Sequence, residues 1–502
     1  MFKKILIANR GEIALRVIRA CRSLGIRSVA VASEADRKAR HAVLADELVV
    51  LDGPPLECYL SAEGILAAAK SVGADAIHPG YGFLSERGDF ADACEATGIA
   101  FIGPSGDAMR ALGAKIGAKQ LAQESGVPIT PGYFEPGADD AALKQAADEI
   151  GYPVMLKASA GGGGRGMRIV ASAEEFDSAV SLARDEAIKG FGDGEMMVEK
   201  LVLQPRHIEV QLLADKHGNV ACLFERECSI QRRHQKLVEE APSPAMTDGL
   251  WEKMRDASKR LALAAKYWGA GTVEFMFDET SGEFYFLEVN ARLQVEHPVT
   301  ELITGLDLVA WQIKIAAGEK LELSEDLMAG NRRAILGHAV EVRLVAEDAA
   351  NGFMPSIGPI RGWSMPEGPG IRVDSGYGPG TEISRYYDSL VAKIITFGET
   401  RSAAIGRMES ALQDTHILGV KTNLPLLLDI MRTDDFKSGQ FDTGWMARQW
   451  PAWKPSEEIP PQIWSLIKFG WTAGVAASDG GAKTETRPAW ASGNRFRIAR
   501  TS

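Results

Sequence analysis

Four consecutive glycines constrain this chain more than any other feature of its 502 residues. Gly161–Gly164, followed by Arg165 and Gly166, stand between two apolar, strand-like pieces, Pro153–Ala160 and Met167–Val170. Such a run suits neither a helix interior nor a strand, because glycine loses more backbone freedom on ordering than any other residue. It predicts the tip of a hairpin. A phosphate loop of the Gly-Lys-Ser/Thr type is excluded, since neither those residues nor a following helical pattern is present. The entropic cost is offset where bare backbone N–H groups must approach phosphate oxygens closely. With Lys157 and Arg165 placing positive charge at both ends, the segment reads as a mobile phosphate lid. A flexible surface hairpin is the alternative.

A second segment, Phe284–Glu296, alternates Leu287, Val289, Ala291, Leu293 and Val295 with five polar residues. If the segment is extended, Glu288, Asn290, Arg292, Gln294 and Glu296 share one face. Upstream, Val273–Phe277 reads as another strand, and Asp278–Glu283 supplies a turn, so a hairpin sets Glu274 near Glu288. Opposed carboxylates on a sheet repel, and the repulsion is relieved by a cation between them. Glu274, Glu288 and Asn290 thus make an all-oxygen Mg²⁺ site, whose remaining ligands are water and nucleotide phosphates. For either strand alone, an ordinary solvated face explains the alternation equally. A third cluster, Gln231-Arg232-Arg233-His234-Gln235-Lys236, is an anion site or a solvated basic loop.

The net charge of −11 argues against a nucleic-acid binder. A hydrophobic share of 45% with 25% charged residues suits a multidomain enzyme of about three domains. Cys21, Cys58, Cys94, Cys222 and Cys228 are widely spaced without a CxxC pair, which predicts neither a disulfide framework nor a zinc site, and a reducing compartment. Asn9, Arg10 and Glu12 interrupt the apolar run near the start, and no stretch reaches transmembrane length, so the chain reads as cytoplasmic. Residues 4–8 and 28–32 predict strands around a helix at 13–24, with a further strand in 75–82: a doubly wound α/β opening. Asn9-Arg10-Gly11-Glu12 has one glycine where a dinucleotide fingerprint needs three. Strands near 338–346 and 390–398 and helices near 402–414 and 424–432 predict a third block. Towards the end, Trp445, Trp450, Trp453, Trp464, Trp471 and Trp490 stand among prolines, and the composition beyond 479 is that of a weakly ordered segment.

IANRGEIALR, HPGYGFLSE, KASAGGGGRGMR, PRHIEVQ, QRRHQK, VEEAPSP, GTVEF, LEVNARLQVEHPVTE, GHAVEVR and YYDSLVAK, in this order, closely resemble the biotin carboxylase family over residues 1 to about 447. The resemblance implies an α/β (α+β) ATP-grasp fold. It has an N-terminal doubly wound domain over 1–112, an ATP-grasp domain over 113–330 with a lid subdomain near 130–203, and a C-terminal domain over 331–447. A tail, 448–502, follows as a candidate docking segment. The implied activity is that of a ligase carboxylating biotin with ATP, Mg²⁺ (or Mn²⁺) and bicarbonate through carboxyphosphate, as the first half-reaction of an acyl-CoA carboxylase. A pyruvate-type subunit or another ATP-grasp ligase is the alternative.

By the same resemblance Lys115, Lys157, Gly163, Gly164, Glu199, Lys200, His207, Gln231 and His234 contact ATP, with Val202 at the adenine. Glu274 and Glu288 hold both ATP and, with Asn290, the metal. Bicarbonate lies among Lys236, Arg292, Gln294 and Val295, Glu296 is the base, and Arg343 meets the biotin ureido oxygen. Arg16, Arg19 and Arg372 match positions of the family's homodimer contact. Because no Met-Lys-Met biotinylation signal occurs, biotin is expected on a separate carrier protein, with carboxyltransferase subunits as further partners. Ala114 stands where the family's free-standing bacterial members have Asp, and Ala160 where they have glycine. Ala160 and the segment 488–497 resemble acyl-CoA carboxylase α-chains.

Overall fold

The computed structural model describes residues 1–159 and 166–456. Met1–Trp453 forms one compact unit and Lys454–Ser502 a second. The first opens with a parallel sheet in the order Glu47–Leu51, Arg27–Ser33, Lys4–Ile7, Ala76–His78, Ala100–Phe101. Its central strand is buried on both faces, as the unbroken apolar run requires. Ile5 and Ile7 pack with Ile13 and Val17 of the helix Gly11–Ser23, while Leu6 packs with Val29, Val31 and Ile77.

A four-stranded antiparallel sheet follows, in the order Gly132–Tyr133, Met196–Lys200, Val154–Ala158, Met167–Val170. Helices Asp140–Ile150 and Ala173–Phe191 close one core with it through Leu143, Phe176 and Val180. The hairpin expected around the glycine run is present, with Lys157 opposite Met167. Its tip, residues 160–165 with Gly163 and Gly164, lies outside the described residues.

The third sheet has eight strands: Glu283–Asn290, Gly269–Asp278, Arg206–Ala214, Val220–Arg232, Gln235–Ala241, His338–Val345, Leu390–Gly398 and Ile371–Asp374. Every pairing in it is antiparallel. One hydrogen-bonded sheet therefore runs across residue 330, where the sequence suggests a division. That continuity carries side chains from residues 207 to 343 onto one scaffold. Helices Arg401–Gln413 and Leu424–Arg432 pack against its later strands.

The tryptophan-rich stretch is open to two readings, partner docking or packing against its own domain; Trp445 and Trp453 are buried in the core containing Ile430 and Phe436, and Trp450 packs against it, as the second requires. Their indole N–H groups donate internally, Trp445 to Asp435 and Trp453 to Asp429, each at 2.9 Å. A buried indole with a satisfied N–H is a core residue. Trp464, Trp471 and Trp490 lie outside the described residues. The three arginines matched to a dimer contact are ion-paired within the chain: Arg16 to Glu301 at 2.7 Å, Arg372 to Glu301 at 2.7 Å, and Arg19 to Asp374 at 3.1 Å. All five cysteines are buried and unpaired, and no described helix is long and apolar enough to cross a membrane.

Candidate active site

The hairpin of Gly269–Asp278 and Glu283–Asn290 sets Glu274 directly opposite Glu288. The extended reading of the whole segment 284–296 is corrected. The strand ends at Asn290, and Glu296 is the residue before the helix His297–Thr304. A bulge lies at Leu287, because Glu274 pairs with Glu288 while Phe275 pairs with Phe286. One extra residue switches the side-chain parity, so Phe284, Phe286 and Val289 all reach the same core despite unequal spacing. Beyond Asn290, Glu86 draws the chain aside, accepting from the Ala291 N–H at 3.1 Å and Arg292 Nε at 3.0 Å. Pro298 then favours a helix start.

Although 291–296 is not a strand, its polar residues still converge. Lys236 lies at the centre, its Nζ 2.6 Å from Glu209, 3.1 Å from Glu274 and 2.6 Å from Glu296. It follows a tight turn whose two residues, Arg233 and His234, both have positive φ (48° and 64°) and are exposed. The solvated-loop reading thus fits Arg233 and His234 but not Lys236. Gln231, buried, sits opposite Lys236 in register. The other Glu296 oxygen accepts from Arg343 Nη2 at 2.9 Å, and Arg343 Nε donates to Glu239 at 2.6 Å. Burial opposes ionisation of Glu296, yet Lys236, Arg343 and Arg226 together hold its carboxyl well below the usual range. Burial also pushes Glu239 up to about 7, against the pull of Arg343.

Gln294 Nε2 and Asn290 Nδ2 both donate to Glu274 Oε1 at 2.9 Å, and Arg292 Nη2 donates to Asn290 Oδ1 at 2.8 Å. Val295 contributes its backbone here, its carbonyl accepting from Lys393. His207 lies 3.0 Å from Glu274, which raises the imidazole's proton affinity despite burial.

Next to this group is a second set of cations. Glu199, 1% exposed, holds Lys119 at 3.0 Å and Lys157 at 3.1 Å. Lys115 Nζ reaches the Ala158 carbonyl at 3.4 Å and feels Glu288 electrostatically. Lys200 Nζ instead donates to the Gly151 carbonyl at 2.8 Å, and Val202, half-buried, follows that strand end. Of the expected nucleotide residues, the structure therefore turns the Glu199 side chain inward as a holder of lysines.

The metal reading can be tested on the donor set. Glu288 has no hydrogen-bond or ion-pair partner among the described residues, and burial followed by the charge of Glu274 raises its carboxyl above the usual range. A carboxylate with no hydrogen-bond or ion-pair partner among the described residues, beside another carboxylate and an amide oxygen, is what a hard divalent cation fits. His207, Glu209 and Glu274 also converge within 4.8 Å. An imidazole nitrogen in that set, and Lys236 bonded to both acids, make it a poorer magnesium site. An open cleft of about 280 Å³ near Phe101, Lys216 and Trp268 contains none of these residues.

Sequence reasoning missed Lys119, Glu209, Arg226, Glu239 and Glu86. Arg226 is fully buried and donates to Glu209, Gln211, Thr272 and Thr300, so it balances the acids from below. The available signal was the strand Arg206–Ala214, which is buried throughout yet carries His207, Glu209 and Gln211 on one face.

Three family models match in succession: "Biotin carboxylase, N-terminal domain" over residues 1–109, "Carbamoyl-phosphate synthase L chain, ATP binding domain" over 114–324, and "Biotin carboxylase C-terminal domain" over 341–448. The 2-oxoglutarate carboxylase small subunit of Hydrogenobacter thermophilus is 50% identical over 446 residues, 89% of this chain and 93% of that one. The mitochondrial methylcrotonoyl-CoA carboxylase subunit alpha of Oryza sativa subsp. japonica is 48% identical over 89% of this chain and 60% of its own length. Among solved structures, the biotin carboxylase domain dimer of the Hydrogenobacter thermophilus enzyme, in complex with MgADP, ADP and bicarbonate, superimposes with a TM-score of 0.87 at 48% identity. The match covers 91% of this chain and all of that one, 100%. With the acid–lysine–arginine cluster and the fold that carries it, these matches establish that the chain belongs to the biotin carboxylase family of ATP-grasp ligases.

Proposed function

We propose that this chain uses MgATP and bicarbonate to carboxylate biotin held on a separate carrier protein, through carboxyphosphate. The observation that carries the reading is the meeting of Lys236, Glu296 and Arg343 at one point, with Glu288, which has no direct partner among the described residues, and Glu274 alongside. Glu274, Glu288 and Asn290 would hold Mg²⁺, which when bound neutralises phosphate charge. Lys115, Lys157 and His207, with Gln231, His234, Lys200, Val202 and the lid glycines Gly163 and Gly164, form the nucleotide side. Glu199 acts by holding Lys157 extended.

Bicarbonate enters between Lys236 and Arg292, with Gln294 and the Val295 backbone as further donors, and a guanidinium fork suits a planar oxyanion. With its proton affinity lowered by Lys236, Arg343 and Arg226, Glu296 is a weak base towards free bicarbonate. Its proton affinity suffices once bicarbonate oxygen bonds to phosphorus, because that proton becomes far more acidic as negative charge leaves the oxygen. Arg343, pinned by Glu239 and Glu296, offers positive charge to the oxygen of the biotin ureido enolate. The chain acts in concert with a biotin carrier protein and carboxyltransferase subunits, as a homodimer. The final acceptor is an acyl-CoA, a choice supported by Ala160 and the 488–497 segment. A relative of near-equal identity named for 2-oxoglutarate leaves a keto acid as the competing acceptor, while one named for methylcrotonoyl-CoA fits the acyl-CoA choice.

ADP release measured with and without bicarbonate and free biotin tests the core reading. Both should accelerate it, and ATP cleavage indifferent to bicarbonate refutes the assignment. Affinity capture with mass spectrometry identifies the transferase and so decides the acceptor.

A further inference from the structure

Residues 291–296 carry the anion-binding groups but belong to neither strand nor helix, so something other than a backbone ladder must hold them. Two carbonyls in this stretch are gripped from behind. The Gln294 carbonyl accepts from His297 Nδ1 at 2.7 Å and from the His297 backbone N–H at 3.3 Å. The Val295 carbonyl accepts from Lys393 Nζ at 2.8 Å. Both side chains are 0% exposed. Lys393 sits on the strand Leu390–Gly398, opposite Arg343 on one neighbour and Asp374 on the other. Its ammonium is held 3.1 Å from Glu12, which also accepts from the Tyr81 hydroxyl, and lies 4.0 Å from Asp374.

The consequence follows from peptide geometry. In a trans peptide the C=O and the next N–H point in opposite directions, and the Gln294–Val295 bond is not among the cis bonds. A Gln294 carbonyl turned to His297 therefore turns the Val295 N–H away from His297. That N–H has no protein acceptor among the described residues. Burial keeps His297 neutral, well below its usual proton affinity, so the hydrogen bond at Nδ1 makes that nitrogen the N–H tautomer and a single-proton donor. A buried lysine in mid-sheet is costly unless its charge is paired and its N–H groups are bonded; here Glu12 and Asp374 balance the charge, and a further N–H is left for the Val295 carbonyl of the anion loop.

We infer that Lys393 and His297 are positioning residues that orient the 292–296 backbone so that the Val295 N–H, beside Arg292 and Glu296, faces bicarbonate. The inference rests on the proposed bicarbonate site. Glu12 extends the link to the helix Gly11–Ser23, so the N-terminal sheet layer braces the anion loop through one lysine.

The test is steady-state kinetics of bicarbonate-dependent ADP release by the full chain, with folding checked by circular dichroism. Lys393→Met should raise the KM for bicarbonate about tenfold to a hundredfold, the range of a charge-assisted hydrogen bond. The KM for MgATP should stay within about twofold, because the nucleotide contacts are made elsewhere. His297→Leu should behave likewise, whereas His297→Asn, whose amide nitrogen can replace Nδ1, should restore the bicarbonate KM. If Lys393→Met does not fold, the histidine pair decides. An unmoved bicarbonate KM in folded variants, a parallel rise in both KM values, or no difference between the Leu and Asn variants overturns the inference. Wild-type ATP cleavage that ignores bicarbonate would instead remove the site reading beneath it.

Discussion

Replacing Glu199 by Gln perturbs the one carboxylate that two buried lysines share. Its carboxyl, ordinarily near 4.5, is held at about 2, since the charges of Lys157 and Lys119 outweigh an opposing burial effect. At about 1.4 kcal/mol per pH unit, the gap corresponds to roughly 3 kcal/mol. Because the folded value is depressed, this contribution is fully present above the unfolded value of about 4.5. It is lost as pH falls from there towards about 2. Glu199→Gln should therefore destabilise the protein at pH 7 by about 3–5 kcal/mol, the range for breaking one side of a buried ion pair. Between pH 4.5 and 2 the variant should lose this part of the parent's acid sensitivity. Burial already lowers the proton affinity of Lys119, and loss of Glu199 should lower it further. Urea unfolding monitored by hydrogen exchange in Val154–Ala158 and Met196–Lys200 reads the stability, and the KM for MgATP reads the release of Lys157. A variant within about 1 kcal/mol of the parent, with an unchanged KM for MgATP, refutes both the ion-pair accounting and the holder role.

Glu296→Gln should suppress bicarbonate-dependent ADP release by about 10²- to 10⁴-fold, while Arg343→Ala retains more ADP release and loses carboxybiotin; parallel loss of both products would show that the two roles are not separable. Glu288→Gln removes a carboxylate with no protein partner, so the metal-free thermal midpoint should hold or rise while the Mg²⁺ concentration for half-maximal activity increases. An unaltered Mg²⁺ requirement counts against the site. Ala114 precedes the helix Lys115–Glu124 without a side-chain cap and is exposed, so Ala114→Asp should stabilise by about 0.5–2 kcal/mol in denaturant unfolding.

Glu274, Glu288 and Asn290 were legible as a group because alternation with Leu287 and Val289 flags a strand face, and the turn at 278–283 dictates its partner. The opening parallel layer was legible from local pattern too: Ile5–Ala8 and Val29–Ala32 are unbroken apolar runs flanking an amphipathic helix. Chemistry along a single strand is local, so one chain segment determines it. Lys236 could not be separated from Arg233 and His234 by composition, since only the positive-φ turn between two long strands sends one basic residue inward and leaves the others in solvent.

The bulge at Leu287 and the departure of residues 291–296 from the sheet were equally hidden, because they depend on which core receives Phe286 and Val289 and on Glu86 from another layer. The repertoire of chemical groups and the strands that carry them follow from local residue patterns alone. Their charge states and supports arise from long-range packing. Arg226, Glu209, Glu239 and Lys393 lie far from Glu296 in sequence, and they balance or brace its surroundings only because the antiparallel sheet brings their four strands to one buried place. Burial strengthens each such charge pairing by excluding water, and burial is a property of the packed whole rather than of any segment.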